Sequence, residues 1–167
     1  MSIVRQKIVP CLWFDTQAEE AANFYVGIFQ NACVGRVSRF PDAGQEVHGK
    51  PAGSVMVVEF ELDGQAFIAL NGGPQFTFDE AISLQVMCET QSEIDHHWNA
   101  LIADGGQEGP CGWLKDKFHL SWQIVPTIVT GMMTSGNMEG AKRVMNAFMT
   151  MKKLDIAKLE QAYAGEP

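Results

Sequence analysis

No apolar run in the sequence approaches the roughly twenty residues that a membrane-crossing helix requires. The N-terminal MSIVRQKIVPCLWF carries only a short apolar stretch with no small-residue cleavage site, too little for the core of a secretory leader. A cytoplasmic protein without a membrane partner is the expectation. Positive charge is also scarce: 12 Lys and Arg face 20 Asp and Glu, for a net charge of -8, which repels phosphate backbones and anionic surfaces. No nucleic-acid partner is expected. Cysteine is sparse and scattered. Cys11, Cys33, Cys88 and Cys111 form no C-x-x-C pair, so a zinc site or disulfide framework lacks its spacing. Missing too is any G-x-G turn leading from a strand into a helix, which a nucleotide-type cofactor uses for close backbone approach.

What the chain does have is core-forming material. Of its 167 residues 46% are hydrophobic, including 10 Phe and 4 Trp, enough for one domain or for two fused half-domains of about eighty residues sharing a core. IVPCLWF at 8–14 is β-branched and aromatic with a proline near its start, a strand pattern. In AEEAANFYVGIF, Ala21, Phe24, Tyr25, Ile28 and Phe29 recur at helical steps, with Glu19 and Glu20 in the first turn and Asp15, Thr16 and Gln17 supplying capping oxygens. ACVGRVSRF, a polar loop from 41 to 53, and the strands SVMVVEFEL and QAFIAL joined by the hairpin dipeptide Asp63-Gly64 complete a β-α-β-β-β unit.

The same grammar restarts near Ala81. CLWFDTQAEE at 11–20 lines up with QVMCETQSEI at 85–94, Phe24 with Trp98 and Ile28 with Ile102, which marks an internal repeat. The second helix is expected to end on Gly105-Gly106, and CGWLKDKF and HLSWQIVP read as a strand pair ending at Pro126. Past it, Gly131, Gly136 and Gly140 interrupt a Met-rich stretch. A helix follows whose apolar stripe is Val144, Met145, Phe148, Met151, Leu154, Ile156 and Leu159, suited to packing on its own domain or on a second copy. The expected organisation is a first module at 1–80, a second at 81–126 and a helical extension at 127–167.

A sheet with one helix on one face leaves its other face to be explained. Strand alternation puts Ile82, Leu84, Val86 and Cys88, with Met56, Val58, Phe60 and Leu62, toward the helices. The opposite register carries Val9, Cys11 and Trp13, then Phe67, Ala69 and Asn71, then Ser83, Gln85 and Met87, and finally Ser121, Gln123 and Val125. Aromatic walls with a few amides form the composition of a small-molecule pocket. The predicted ligand-binding residues are Cys11, Trp13, Phe67, Asn71, Gln85, Met87, Ser121 and Gln123, with Trp122 in the opposite register. Glu59 and Glu61 lie in the pocket-facing register of the third strand, where a carboxylate could act as a base. His48 sits in the preceding loop and His119 beside the last strand. His96 and His97 are adjacent on a helix, about 100° apart, and read as solvated residues.

Tandem β-α-β-β-β modules of this content resemble the vicinal-oxygen-chelate superfamily of glyoxalases, extradiol dioxygenases and bleomycin-resistance proteins. PCLWF, the helix ending ANFY, ALNGGPQFTF at 69–78 and GPCGWLKDKFHLSWQIVP at 109–126 are similar to its PhnB-like branch, whose members often carry the label 3-demethylubiquinone-9 3-methyltransferase. The resemblance spans about residues 5 to 163. It implies an α+β fold of tandem βαβββ modules forming a curved mixed sheet, followed by a C-terminal helix. It also implies His and Glu metal ligands on the first and last strands of each half in metal-using members. This sequence has instead Val9 or Cys11, Asn71, Ser83 or Gln85, and Gln123 at those places, and amides are weak neutral ligands. No metal and no cofactor are expected. The reading is a homodimeric protein that binds a small, partly aromatic or amphipathic molecule in a metal-free pocket. Two alternatives stand beside it: a metal-dependent lyase, isomerase or dioxygenase-like enzyme using Cys11, Gln85 and Gln123, and an assembly module working through its Met-rich helix.

Overall fold

The computed structural model describes residues 6–165 and divides between Thr77 and Phe78. In the first unit the chain runs β1 (Cys11–Phe14), α1 (Ala18–Ile28), β2 (Ala32–Arg39), a four-residue helix α2 (Gln45–His48), β3 (Val55–Leu62) and β4 (Gln65–Asn71). The strands lie in the order β1-β4-β3-β2, with β1 parallel to β4 and the other pairs antiparallel. β1 starts at Cys11 rather than at Ile8 because Pro10 has no N–H to give the ladder, although its carbonyl still accepts from Ile68. α1 buries Ala18, Ala21, Ala22, Tyr25 and Ile28; the small residues let it lie close on the sheet. Tyr25 stacks on Phe60 at 5.9 Å and Phe60 on Phe67 at 5.2 Å, which carries the core across the sheet from the helix.

The second unit repeats the plan: β5 (Leu84–Cys88), α3 (Gln91–Leu101), a single 3-10 turn, β6 (Gln107–Glu108), β7 (Trp113–Lys115) and β8 (Ser121–Pro126). Its order, β5-β8-β7-β6 with β5 parallel to β8, is that of the first sheet. The repeat read in the sequence is thus a repeat of topology, and each module builds its own four-stranded mixed sheet. α3 begins with a capping box in which Thr90 accepts from Glu93 N–H while the Glu93 carboxylate returns to the Thr90 N–H. Ile94, Trp98 and Leu101 are buried on α3, as are Leu114, Trp122 and Ile124 on the strands. Ile82, expected in that core, precedes β5 and is 71% exposed.

The WLKDKFHLSW run owes its character to one buried carboxylate. Asp116 is 1% exposed. Its Oδ1 accepts from the N–H groups of Phe118 (2.8 Å) and Leu120 (3.1 Å), and its Oδ2 from the Trp122 indole at 2.8 Å. The side chain therefore buckles the β7–β8 connection and fixes the buried Trp122 together. His119, at φ +68°, is the exposed corner of this turn.

Three helices, not one, follow β8: α4 (Ile128–Thr134), α5 (Met138–Phe148) and α6 (Ile156–Ala164). Asn137 and Asp155 cap the last two through their side chains. Val144, Leu154 and Leu159 form their buried centre, with Met132, Phe148 and Met151 packed around it. Met145, expected in the stripe, turns outward and is 43% exposed. The break between α5 and α6 rotates the two halves of the stripe independently.

Removing the Asp116 carboxylate strands two buried N–H groups and an indole N–H. Asp116→Ala is expected to cost about 3 kcal/mol and to lower Tm by roughly 6–12 °C. Calorimetry checks this, and an unchanged Tm refutes the buckle.

Candidate functional site

Hairpin register decides which side chains each sheet turns away from its helix. Val58, Phe60 and Leu62 are buried on the strand that α1 covers. The two-residue Asp63-Gly64 turn, with φ of 47° and 80°, sets Leu62 opposite Gln65 and Phe60 opposite Phe67. Phe67, Ala69 and Asn71 therefore share the helix face. This corrects the expected placement of Phe67 and Asn71 beside Cys11 and Trp13, which belong to the other face. The residues that accompany those two are Ile68 and Glu59, in register with Cys11, and Leu70 and Val57, in register with Trp13.

Asn71 has a structural task. Its Oδ1 accepts from Ala18 N–H at 2.8 Å and its Nδ2 donates to the Val55 carbonyl at 3.0 Å, with the residue 6% exposed. It thereby caps α1 from a distant strand. Gln17, at the cap position, makes no side-chain cap bond, so the local oxygens expected to do this are not the ones used. Both ends of the Asn71 amide are thus engaged within the protein.

Trp13 does lie on the open face, half-buried, but its indole N–H is already given to the Gly73 carbonyl at 2.8 Å. Phe76 meets the ring edge-on at 5.0 Å. A Cβ at Gly72 would overlap the indole, so glycine there is what lets the chain fold over it. Trp13 offers apolar surface and no donor. Cys11 is exposed, and partial burial of its sulfur pushes the thiol pKa up. Glu59 and Glu61 share this face, both half-buried. His48 is no loop ligand: it ends α2, packs on Phe40 at 4.6 Å, and accepts from Lys50 N–H at 3.0 Å.

The second unit's open face carries a polar ladder. Gln85 pairs with Gln123, and Met87 with Val125, across β5 and β8, and Trp113 of β7 lies opposite Gln123. Gln85 Nε2 donates to Gln123 Oε1 at 3.2 Å, and Gln123 Nε2 donates to Ser83 Oγ at 2.8 Å. Gln85 is exposed and Met87 is 48% exposed. Three of the predicted residues, Gln85, Met87 and Gln123, are brought together here. Ser121 is on the same face by register but 1% exposed, its hydroxyl turned to the Asp79 carbonyl at 3.4 Å, which corrects its expected ligand role. Beside it Glu80 pairs with Lys115, which holds the Glu80 carboxyl below its usual range. Trp122 is core.

Sequence reasoning missed Ile68, Leu70 and Trp113. For the first two the signal was present: once Val58, Phe60 and Leu62 are core, a two-residue hairpin puts Phe67, Ala69 and Asn71 in the core with them. Trp113 depends on the Asp116 turn, whose length conceals the register.

The donors do not fit the metal set that the fold implies. Among the described residues no three His, Cys, Asp or Glu side chains gather in a group able to hold a metal ion. His97, expected to be solvated, is half-buried; its Nδ1 lies 2.9 Å from the Glu93 carbonyl and 3.9 Å from Cys88 Sγ. Burial pushes its pKa down. Nor do the strand-to-helix turns fit a nucleotide-type methyl donor. They read Asp15-Thr16-Gln17 and Glu89-Thr90, and the Glu93 carboxylate occupies the start of α3.

A model of the family described as 3-demethylubiquinone-9 3-methyltransferase matches residues 6–125. The chain is 35% identical to a solved PhnB protein from Bacillus cereus, the match covering 73% of this chain and 100% of that one with a TM-score of 0.63. A protein from Pseudomonas aeruginosa is 20% identical over 72% of this chain and 97% of its own, TM-score 0.58, and shares the fold. A glyoxalase/bleomycin resistance protein from Albidiferax ferrireducens T118 is 16% identical over 72% and 99%, TM-score 0.43. No curated protein matches.

Burial first, and the nearby Glu93 charge second, push the Cys88 thiol from 9.0 up to about 11. The folded chain holds that proton more tightly than the unfolded one, so this thiol's contribution to stability is full below pH 9 and is lost as pH rises toward 11. Iodoacetamide at pH 8 is expected to label exposed Cys33 and to spare Cys88 until denaturant is added. Peptide mapping by mass spectrometry reads this, and early Cys88 labelling contradicts its burial.

Proposed function

The chain belongs to the 3-demethylubiquinone-9 3-methyltransferase (PhnB-like) family and has its α+β glyoxalase/bleomycin-resistance fold, and on that footing we propose that it binds a small, partly aromatic or amphipathic molecule on its open sheet faces. The observation that carries this reading is the Ser83–Gln123–Gln85 ladder with Met87, Val125 and Trp113 around it. Each glutamine amide has two N–H donors and two acceptor lone pairs, and Gln85 gives one donor to Gln123. The exposed end of Gln85 then meets a polar group of the ligand, while the thioether of Met87 adapts to its apolar part. Trp113 adds aromatic contact. On the first unit, Cys11, Ile68, Leu70 and the face of Trp13 offer an apolar floor bordered by Glu59.

The family's name refers to methyl transfer. The residues of both strand-to-helix turns fit no nucleotide-type donor, and the proposal contains no methyl-transfer step. We propose further that the protein works in the cytoplasm as a homodimer. Ile8, Phe76 and Ile82, exposed by 87%, 66% and 71%, are the apolar side chains that a second copy would cover.

The ligand reading is tested by thermal shift with aromatic and amphipathic metabolites, followed by calorimetric titration of whichever one stabilises the protein. Gln123→Ala removes the centre of the ladder and is expected to weaken binding about tenfold, the loss of a hydrogen bond or two. A full-strength complex in that variant, or a library without a single stabilising compound, overturns the proposal. For the dimer, light scattering is expected to give twice the chain's 18.4 kDa. A monomer mass at about 100 μM refutes it.

A further inference from the structure

The family likeness stops short of the C-terminal helices. The family model ends at residue 125, and the Bacillus cereus protein, matched over its whole length, accounts for 73% of this chain. α4, α5 and α6 are therefore additions to the module. A strap between α5 and α6 fastens them to the second unit. Cys111 and Gly112 donate their N–H groups to the carbonyls of Met151 (2.7 Å) and Lys152 (2.8 Å). The Gln91 amide donates to the Leu154 carbonyl at 3.1 Å and accepts from Ile156 N–H at 2.9 Å, so one side chain serves two backbone groups of the strap.

Where the strap crosses α3 it leaves an open groove of about 520 Å³. Gln91 and Asp95 of α3 form one wall. Lys153, Asp155 and Lys158 from the added segment form the other, and Met151 supplies its apolar surface. Lys153 reaches across to Asp95 at 2.6 Å, and the Asp95 carboxyl also accepts from Gln91, so these two charges already pair with each other. The Lys158 ammonium stands 3.8 Å from Asp155 and is 68% exposed, a loose pair that a ligand can enter with little loss. Two cations and two anions sum to zero, which gives no net attraction to a polyanion or a polycation. Charges of both signs beside a methionine instead match a molecule with a carboxylate, an ammonium and an apolar side chain.

We propose that this groove is a second binding site, made by the C-terminal addition, for a small zwitterion: an α-amino acid with an apolar side chain. Lys158 takes the carboxylate, Asp155 takes the ammonium, and Met151 receives the side chain. The amide ladder plays no part in it.

The test is a two-dimensional amide NMR titration of the full chain with L-leucine, L-methionine and L-phenylalanine, and with N-acetyl-L-leucine and L-leucinamide, which each lack one charge. A free amino acid is expected to move the amides of 91–95 and 151–158, and each blocked compound to bind at least about tenfold more weakly. Lys158→Gln, an exposed substitution, is expected to lose about tenfold in affinity, and Lys158→Arg to keep it. Several results overturn the proposal: no shifts at about ten millimolar, shifts confined to the β5 and β8 strands, blocked compounds binding as well as free ones, or Lys158→Gln binding like the parent.

Discussion

Each four-stranded sheet has one long helix packed on it, α1 or α3, so only one sheet face can be buried by it, and the two-residue period of a strand turns that into a binary assignment for every side chain. Much of the structure follows from how register resolves this choice. In the first unit the Asp63-Gly64 hairpin ties β4 to β3, and the parallel pairing of β1 with β4 carries the assignment onward: Leu12 goes with Ala69 and Phe14 with Asn71 on the helix side, Cys11 with Ile68 and Trp13 with Leu70 on the other. A slip of one residue would exchange the two sets entirely. The buried stack of Tyr25, Phe60 and Phe67 opposes such a slip, because it would turn the strand rings Phe60 and Phe67 toward water and take their packing from Tyr25.

The same constraint explains what could be read from the sequence. The repeat, the order of elements and the core of β3 were legible, since periodicity acts locally. Face assignment within β4 failed because Phe67, Ala69 and Asn71 contain one polar residue and alternate with the equally apolar Ile68 and Leu70. Apolarity alone cannot choose between two apolar rows; the hairpin turn does. Ser121 failed for a different reason. Its register was right, but its burial comes from Asp79, forty-two residues earlier in the chain, a contact no local pattern announces. Gln85, Met87 and Gln123 share the face that their register requires, because both of their strands alternate cleanly.

Several residues that look chemical in the sequence turn out to hold the fold. Asn71 carries an amide to a helix start, Asp116 gathers two N–H groups and an indole, and His48 packs on Phe40. Each is a polar group whose hydrogen bonds end within the protein, as buried polar groups require. The run from Trp113 to Trp122 is in this sense structural, and it says why the module folds more than what it binds. The distinction matters for the ladder: Gln85 and Gln123 differ from Asn71 not in side-chain chemistry but in pointing their amides along an exposed face.

The two modules have diverged most where a ligand would meet them. The first open face is apolar and thiol-bearing with carboxylates, while the second is built of amides, a hydroxyl and a thioether. The helix starts have diverged as well. Gln17 and Gln91 occupy equivalent places in the repeat, yet Gln17 is an exposed residue without a capping bond, whereas Gln91 clips the strap of the C-terminal addition. A helix start keeps unpaired N–H groups that something must satisfy. In the first unit Asn71 satisfies one of them from within the sheet. In the second a local capping box does so, which leaves the Gln91 side chain free of that duty and able to hold backbone from outside the module.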